Sequence, residues 1–102
     1  MDNVAVFGLG RIGLPIALVS AEKGFNVIGI DINENKVNGL RMGEEPFDEP
    51  GLKELLRRYL GVRFHPYALS ENVMEVLKDT EIILITIGID DFSRIGAPAR
   101  LR

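Results

Sequence analysis

Three glycines in a short loop near the start of the chain are the residues best placed to do chemistry. Gly8, Gly10 and Gly13 have the spacing G-x-G-x-x-G and follow a short apolar run at 4–7. Where a strand turns into a helix, such glycines allow a tight turn, close approach of a pyrophosphate, and packing of the helix on the strand. The N–H groups of the first helical turn then face the phosphates. The spacing predicts a dinucleotide-binding loop; the alternative is a turn that serves only tight packing.

An acidic residue follows at the distance that this chemistry requires. Asp31 ends a second apolar run and lies 18 residues after Gly13, close to the spacing of about 20 that is typical of dinucleotide-binding units. A carboxylate there accepts hydrogen bonds from the hydroxyls of an adenosine ribose and repels a 2′-phosphate. The sequence thus favours NAD over NADP as the cofactor. The alternative is a carboxylate that only caps the turn.

Four further residues are candidate cofactor contacts. Arg11 could place a cation beside the pyrophosphate or could face water, and Ile12 belongs to the same loop. Lys36, one turn into a second helix, could reach the ribose, pair with Asp31 or remain solvated. Thr86 lies at the carboxyl end of the last predicted strand, where open α/β sheets bind ligands.

Alternating strands and helices must position these residues. Apolar runs and helical spacing predict strands at 4–7, 25–30, 62–64 and 81–88 and helices at 12–23, 34–42, 52–60 and after 70. This order implies right-handed crossovers and a parallel sheet with helices on both faces. The predicted fold class is α/β, a Rossmann-like sheet truncated after about four strands. Asn33 and Ser70 are expected helix caps, and the strand at 81–88, apolar on both faces, is expected to be interior.

Composition narrows the class of protein. The chain has 102 residues, a formal charge of −3, 46% hydrophobic residues, one histidine and no cysteine. These values are typical of one globular domain. The net negative charge does not favour nucleic-acid binding, and the lack of cysteine excludes a thiolate metal site. No apolar stretch is long enough for a membrane helix. His65, near a strand end, is expected to be structural, and no catalytic or metal-binding residue is assigned. We expect an incomplete dinucleotide-binding domain at 1–88, a loop or loose tail at 89–102, and a cytoplasmic protein, since no secretory signal is visible.

Several motifs together resemble the start of one enzyme family. Residues 8–17 read GLGRIGLPIA, 29–33 read GIDIN and 49–52 read EPGL. This combination is similar to the N-terminal NAD-binding domain of the nucleotide-sugar dehydrogenases, which act on UDP-glucose, GDP-mannose or UDP-N-acetylmannosamine. The Gly-Leu-Pro continuation and the Glu-Pro-Gly-Leu loop are the more specific parts. The resemblance extends from about Val4 to Gly88.

The resemblance implies NAD as cofactor and a two-step oxidation of a sugar C6 alcohol to a uronic acid, in polysaccharide biosynthesis. By matching position, the three glycines resemble the family's pyrophosphate loop, and Asp31 and Lys36 resemble its pair on the adenosine ribose. Arg11 stands where the family has an aromatic residue, and 89–90 read Ile-Asp instead of Thr-Pro. The nicotinamide-side contacts therefore remain open.

The family's catalytic cysteine, lysine and asparagine lie in later domains of much longer chains. A thiohemiacetal intermediate needs a thiolate nucleophile, and this chain has no cysteine. We therefore expect a fragment that binds the ADP half of NAD and does not turn over alone, with the nucleotide sugar bound only by a full-length form.

Two other hypotheses remain open from the sequence. The chain could be a non-catalytic nucleotide-binding or assembly module, a possible homo-oligomer that pairs through the edge of its last strand. It could also be the start of another NAD-dependent dehydrogenase, although the loop at 49–52 argues against this.

Overall fold

Four parallel strands form the sheet on which the protein is built. The computed structural model describes residues 2–86. Its elements, in chain order, are β1 (Asn3–Phe7), α1 (Gly13–Glu22), β2 (Asn26–Asp31), α2 (Glu34–Arg41), α3 (Leu52–Tyr59), β3 (Phe64–Ala68), α4 (Met74–Leu77) and β4 (Ile82–Ile85). The strand order is β3-β2-β1-β4, with every pairing parallel. This confirms the predicted α/β class and the Rossmann-like sheet.

Each face of the sheet carries its own apolar cluster. Successive strand residues point to opposite faces, so alternate residues of β1 and β2 enter different clusters. The larger cluster joins the sheet to α1 and α3 through Val4, Val6, Val27, Phe64, Leu14, Leu18 and Leu56. The smaller cluster joins the opposite face to α4 through Ile28, Ile30, Val73, Val76 and Leu77. The helices therefore lie on both faces, as the crossovers require.

Capping and turn residues determine where the helices beside the candidate site begin and end. In α2, Asn33 is the N-cap, and its side-chain oxygen accepts a hydrogen bond from the amide of Lys36 at 3.1 Å. This confirms the predicted cap.

After α1, Gly24 takes a φ of +109°, a conformation that glycine adopts without steric cost and that commonly ends helices. No helix in the described part of the chain is long and apolar enough to cross a membrane.

The third strand and the cap of the last helix were predicted wrongly. β3 spans 64–68, not 62–64, because the amides of Val62 and Arg63 both bond to the carbonyl of Tyr59 and extend the turn after α3. Ser70 does not cap α4, whose N-cap is Val73 without a side-chain bond. The Ser70 hydroxyl instead donates to the carboxylate of Glu34.

The last strand is not interior within residues 2–86. β4 pairs only with β1 and forms one edge of the sheet, and its four residues are 39–71% exposed. A run that is apolar on both faces indicates that both faces favour burial, and it does not determine whether a second strand lies beside it. Positions 87–88 of the predicted strand and the predicted tail at 89–102 lie outside the described residues.

Two glycines in regular elements should respond to alanine in opposite directions. A Cβ on Gly29, in β2, would lie 2.8 Å from the ring of Phe64 and 3.0 Å from Leu9. We expect Gly29→Ala to lower the free energy of unfolding by roughly 1–3 kcal/mol through overpacking. A Cβ on Gly39, in α2, meets its nearest atom at 3.5 Å, so Gly39→Ala should raise it by about 0.5–1 kcal/mol. Urea unfolding of both variants measures the two changes. If both variants were stabilised or both destabilised, the prediction would be contradicted.

Candidate dinucleotide-binding site

The glycine loop, residues 8–13, connects β1 to α1 at the carboxyl edge of the sheet. Gly8 has a φ of +96°, which the chain needs to turn out of β1 and which disfavours other residues. Its amide donates to the carbonyl of Ile30 in β2 at 2.7 Å, and the carbonyl of Gly10 accepts from the amide of Leu14 at 3.0 Å. Both ends of the loop are thus fixed by backbone hydrogen bonds.

Gly13 and Gly8 pack so closely that neither has room for a side chain. A Cβ on Gly13 would lie 1.7 Å from the carbonyl oxygen of Gly8 and 2.4 Å from the hydroxyl of Thr86. A Cβ on Gly8 would lie 2.0 Å from the carbonyl oxygen of Thr86. The tight-packing role that is the alternative for these glycines is therefore present in the structure.

Asp31 ties this loop to the turn that follows β2. It is 4% exposed; its Oδ2 accepts from the amide of Leu9 and its Oδ1 from the amide of Asn33, both at 2.8 Å. The Nζ of Lys36 lies 3.4 Å from Oδ2. The structure thus brings Asp31, Lys36 and the glycine loop together, and the carboxylate also has the turn-capping role weighed as its alternative.

The carboxylate keeps capacity for a further hydrogen bond. An ionised carboxylate offers about four lone-pair sites, and three donors reach Asp31. The contact from Lys36, at 3.4 Å, is longer than the roughly 2.7–2.9 Å of a strong charge-assisted bond. Its ammonium is therefore only loosely engaged by the carboxylate.

Arg11 stacks on a residue of the acidic loop, 43–50. Its guanidinium carbon lies 4.9 Å from the ring centroid of Phe47, within the range of a cation–π contact. Arg11 and its neighbour Ile12 in the glycine loop are both exposed. Phe47 could not be found from the sequence, because nothing in the pattern of a loop predicts which distant residue its aromatic ring will contact.

Thr86, directly after β4, joins the loop from the other side. Its amide donates to the carbonyl of Phe7 at 2.8 Å, and its hydroxyl donates to the carbonyl of Gly8 at 2.8 Å. The hydroxyl thus points at the backbone of the glycine loop, and contact with a cofactor stays a prediction.

His65, Arg41 and Glu71 make their hydrogen bonds away from the glycine loop and Asp31. The Nε2 of His65 is 3.2 Å from the Oδ1 of Asn26, between neighbouring strands. Arg41 and Glu71 form a two-pronged ion pair, whose hydrogen bonds raise the pKa of Arg41 and, with the amide of Ala68, lower the pKa of Glu71 from their usual values. Among residues 2–86, no group of three or more potential metal ligands comes together.

A β1-α1-β2 unit with this glycine turn and an acid at the end of β2 defines a dinucleotide-binding domain of the Rossmann type. Residues 2–91 match the model of the UDP-glucose/GDP-mannose dehydrogenase family, NAD binding domain. The chain belongs to this family as its NAD-binding domain, which implies NAD as the cofactor.

Named relatives agree with this membership. The chain is 48% identical over 97 residues to a UDP-N-acetyl-D-mannosamine dehydrogenase of Methanococcus vannielii, covering 92% of this chain and 22% of the relative. It is 36% identical over 91 residues to a UDP-glucose 6-dehydrogenase of Haloferax volcanii, covering 89% and 21%. The chain thus spans about a fifth of the length of these two relatives.

Solved structures share the fold. A UDP-glucose dehydrogenase from Pyrobaculum islandicum superposes with a TM-score of 0.76 at 32% identity, over 98% of this chain and 24% of that one. A ternary complex of a GDP-mannose dehydrogenase from Pseudomonas aeruginosa gives a TM-score of 0.73 at 26% identity, over 95% and 23%.

Replacing Gly13 with alanine should disrupt the glycine loop by a steric clash with Gly8. Gly13 begins α1, so its backbone suits alanine, but the added Cβ would lie 1.7 Å from the carbonyl oxygen of Gly8. We expect Gly13→Ala to lower the free energy of unfolding by roughly 1–3 kcal/mol, measured by urea unfolding. Gly39→Ala, also in a helix, is the matched control. A Gly13→Ala protein as stable as the wild type would show that the close packing is not required.

Proposed function

We propose that this chain binds the ADP half of NAD as the cofactor-binding part of a nucleotide-sugar dehydrogenase. In this proposal, Gly8, Gly10, Arg11, Ile12 and Gly13 hold the pyrophosphate. Asp31 and Lys36 hold the adenosine ribose. The observation that carries the proposal is the Asp31 carboxylate, buried at the end of β2 and bonded to the amide of Leu9 in the glycine loop.

The proposed pyrophosphate contacts rest on the backbone of the loop. The first N–H groups of a helix lack partners within the helix, and its dipole favours an anion there. Arg11 and Ile12, which precede this turn, are exposed. The guanidinium of Arg11, stacked on Phe47, supplies a cation beside the loop at little entropic cost, because the stack already restricts the side chain.

The proposed ribose contacts rest on the spare capacity of Asp31. A ribose hydroxyl can donate to the carboxylate, while the loosely engaged ammonium of Lys36, 3.4 Å away, can donate to the neighbouring hydroxyl oxygen. A 2′-phosphate would bring its negative charge against a carboxylate that is 4% exposed, where the repulsion is poorly screened. This geometry supports NAD over NADP.

The wider activity is also part of the proposal. Bound NAD supplies a hydride acceptor, and the resemblance implies that a cysteine takes part in oxidising the sugar. Since the chain has no cysteine, we expect it to bind NAD without oxidising a nucleotide sugar by itself. The nucleotide sugar as partner of a longer form, and a cytoplasmic location, remain predictions.

Replacing the central carboxylate tests the proposal directly. We expect Asp31→Asn to weaken ADP-ribose binding roughly 10–100-fold, because a charge-assisted hydrogen bond contributes about 1.5–3 kcal/mol. Isothermal titration calorimetry with NAD and with ADP-ribose measures the change.

An exposed acid of the neighbouring loop provides the control. Asp48→Asn removes one negative charge from an exposed position and should leave the affinity within about twofold, since exposed charges are screened. No heat from wild-type protein with either ligand, or equal binding by Asp31→Asn and wild type, would overturn the proposal.

A second candidate function, assembly through the edge of the sheet, is favoured by the exposure of β4. Its side chains are apolar and 39–71% exposed, β4 is an edge strand within residues 2–86, and an edge strand can pair with another strand. This candidate predicts a dimer in sedimentation experiments that does not depend on nucleotide. Ile83→Lys should dissociate that dimer, whereas Val62→Lys, at an exposed position away from β4, should not. A wild-type monomer at all concentrations would exclude it.

A further inference from the structure

We propose that Thr86 is a positioning residue for the glycine loop: its hydroxyl holds the carbonyl of Gly8 so that the loop keeps the shape that receives a pyrophosphate. This inference rests on the proposed function for its ligand. The contact itself is a property of the protein without ligand, so the two can be tested separately.

Thr86 places two donors on two successive carbonyl groups. Its amide donates to the carbonyl of Phe7 at 2.8 Å, as the last bond of the β1–β4 pairing. Its hydroxyl lies 2.8 Å from the oxygen of Gly8 and 3.3 Å from that of Phe7. The residue thus extends the pairing of the strands by one step, from the end of β1 into the loop.

Gly8 is held from both sides by neighbours of β1. Its amide donates to Ile30 in β2 at 2.7 Å, and its carbonyl accepts from Thr86 after β4 at 2.8 Å. With a φ of +96° and no Cβ, Gly8 has many accessible conformations when it is not held. Fixing it before the ligand arrives reduces the entropy that binding must remove.

The glycines create the space that Thr86 occupies. A Cβ on Gly13 would lie 2.4 Å from the threonine hydroxyl, and one on Gly8 would lie 2.0 Å from the threonine carbonyl oxygen. In this chain the G-x-G-x-x-G spacing therefore makes room for Thr86, directly after β4, in addition to the proposed phosphate. Valine at 86 has a similar shape but would leave the carbonyl of Gly8 without this donor.

The contact also couples the loop to the edge strand. The side chains of β4 are 39–71% exposed, and within residues 2–86 the strand is bonded to β1 by the parallel pairing and by Thr86. A ligand that favours the ordered loop must favour the docked strand to the same extent, because coupling between two sites is reciprocal.

Valine and serine at position 86 separate the role of the threonine hydroxyl from that of the threonine shape. Thr86→Val should weaken ADP-ribose binding about tenfold, the size expected for one lost hydrogen bond. Thr86→Ser keeps the donor and should restore binding to within about threefold. Thr80→Val is the matched control, since the Thr80 hydroxyl is buried without a hydrogen-bond partner; its affinity should stay within about twofold of wild type. Calorimetry measures all four proteins.

Amide hydrogen exchange without ligand provides the second measurement. Thr86→Val should speed exchange about tenfold at Gly8 and Leu9, whose amides bond to Ile30 and Asp31, and leave β2 unchanged. Equal exchange in wild type and Thr86→Val, or faster exchange throughout the sheet, would overturn the inference. So would serine failing to restore the loop. If wild-type protein binds no ADP-ribose, the proposed function fails, and the exchange rates still decide the role of Thr86.

Discussion

A buried carboxylate at the end of the second strand organises the region around the candidate site. Burying a carboxylate is costly unless hydrogen bonds or an opposite charge compensate for the lost water, and Asp31 accepts hydrogen bonds from the amides of Leu9 and Asn33. Those donors lie on two different loops, so satisfying one side chain fixes both loops relative to each other. The same residue is therefore a structural link and the proposed ligand of the ribose. The two roles are compatible because the amides of Leu9 and Asn33 leave the carboxylate capacity for a further donor.

Close backbone approach is the second constraint on this region. Three segments meet at the start of α1: the end of β1, the first residue of the helix, and Thr86 after β4, which is 78 residues from Gly8 in the sequence. They can meet only because Gly8 and Gly13 leave no side chain between them. The glycine motif thus has a packing function that is independent of any ligand, and it prepares the loop for the phosphates that we propose it binds.

The contact between Arg11 and Phe47 shows how this chain differs from the family pattern. The resemblance implies an aromatic residue at position 11, and here a cation occupies it. An aromatic ring from the acidic loop lies against that cation, 4.9 Å from the guanidinium carbon to the ring centroid. The pairing places a positive charge next to the proposed phosphate site and ties the acidic loop to it, and both effects depend on a neighbour that is distant in sequence.

The order of strands and helices, the glycine turn, the acid at position 31 and the cap at Asn33 could all be predicted from the sequence. These features depend on patterns that are local in the sequence: apolar periodicity, turn residues and the distance between one motif and the next. The start of β3 could not be predicted, because the turn after α3 continues for two residues on hydrogen bonds to Tyr59. The edge position of β4, the stack of Arg11 on Phe47 and the bond from Thr86 to Gly8, 78 residues apart, were decided by the tertiary structure. Each depends on which strand lies beside which, and the order of elements along the chain does not determine which distant side chains meet.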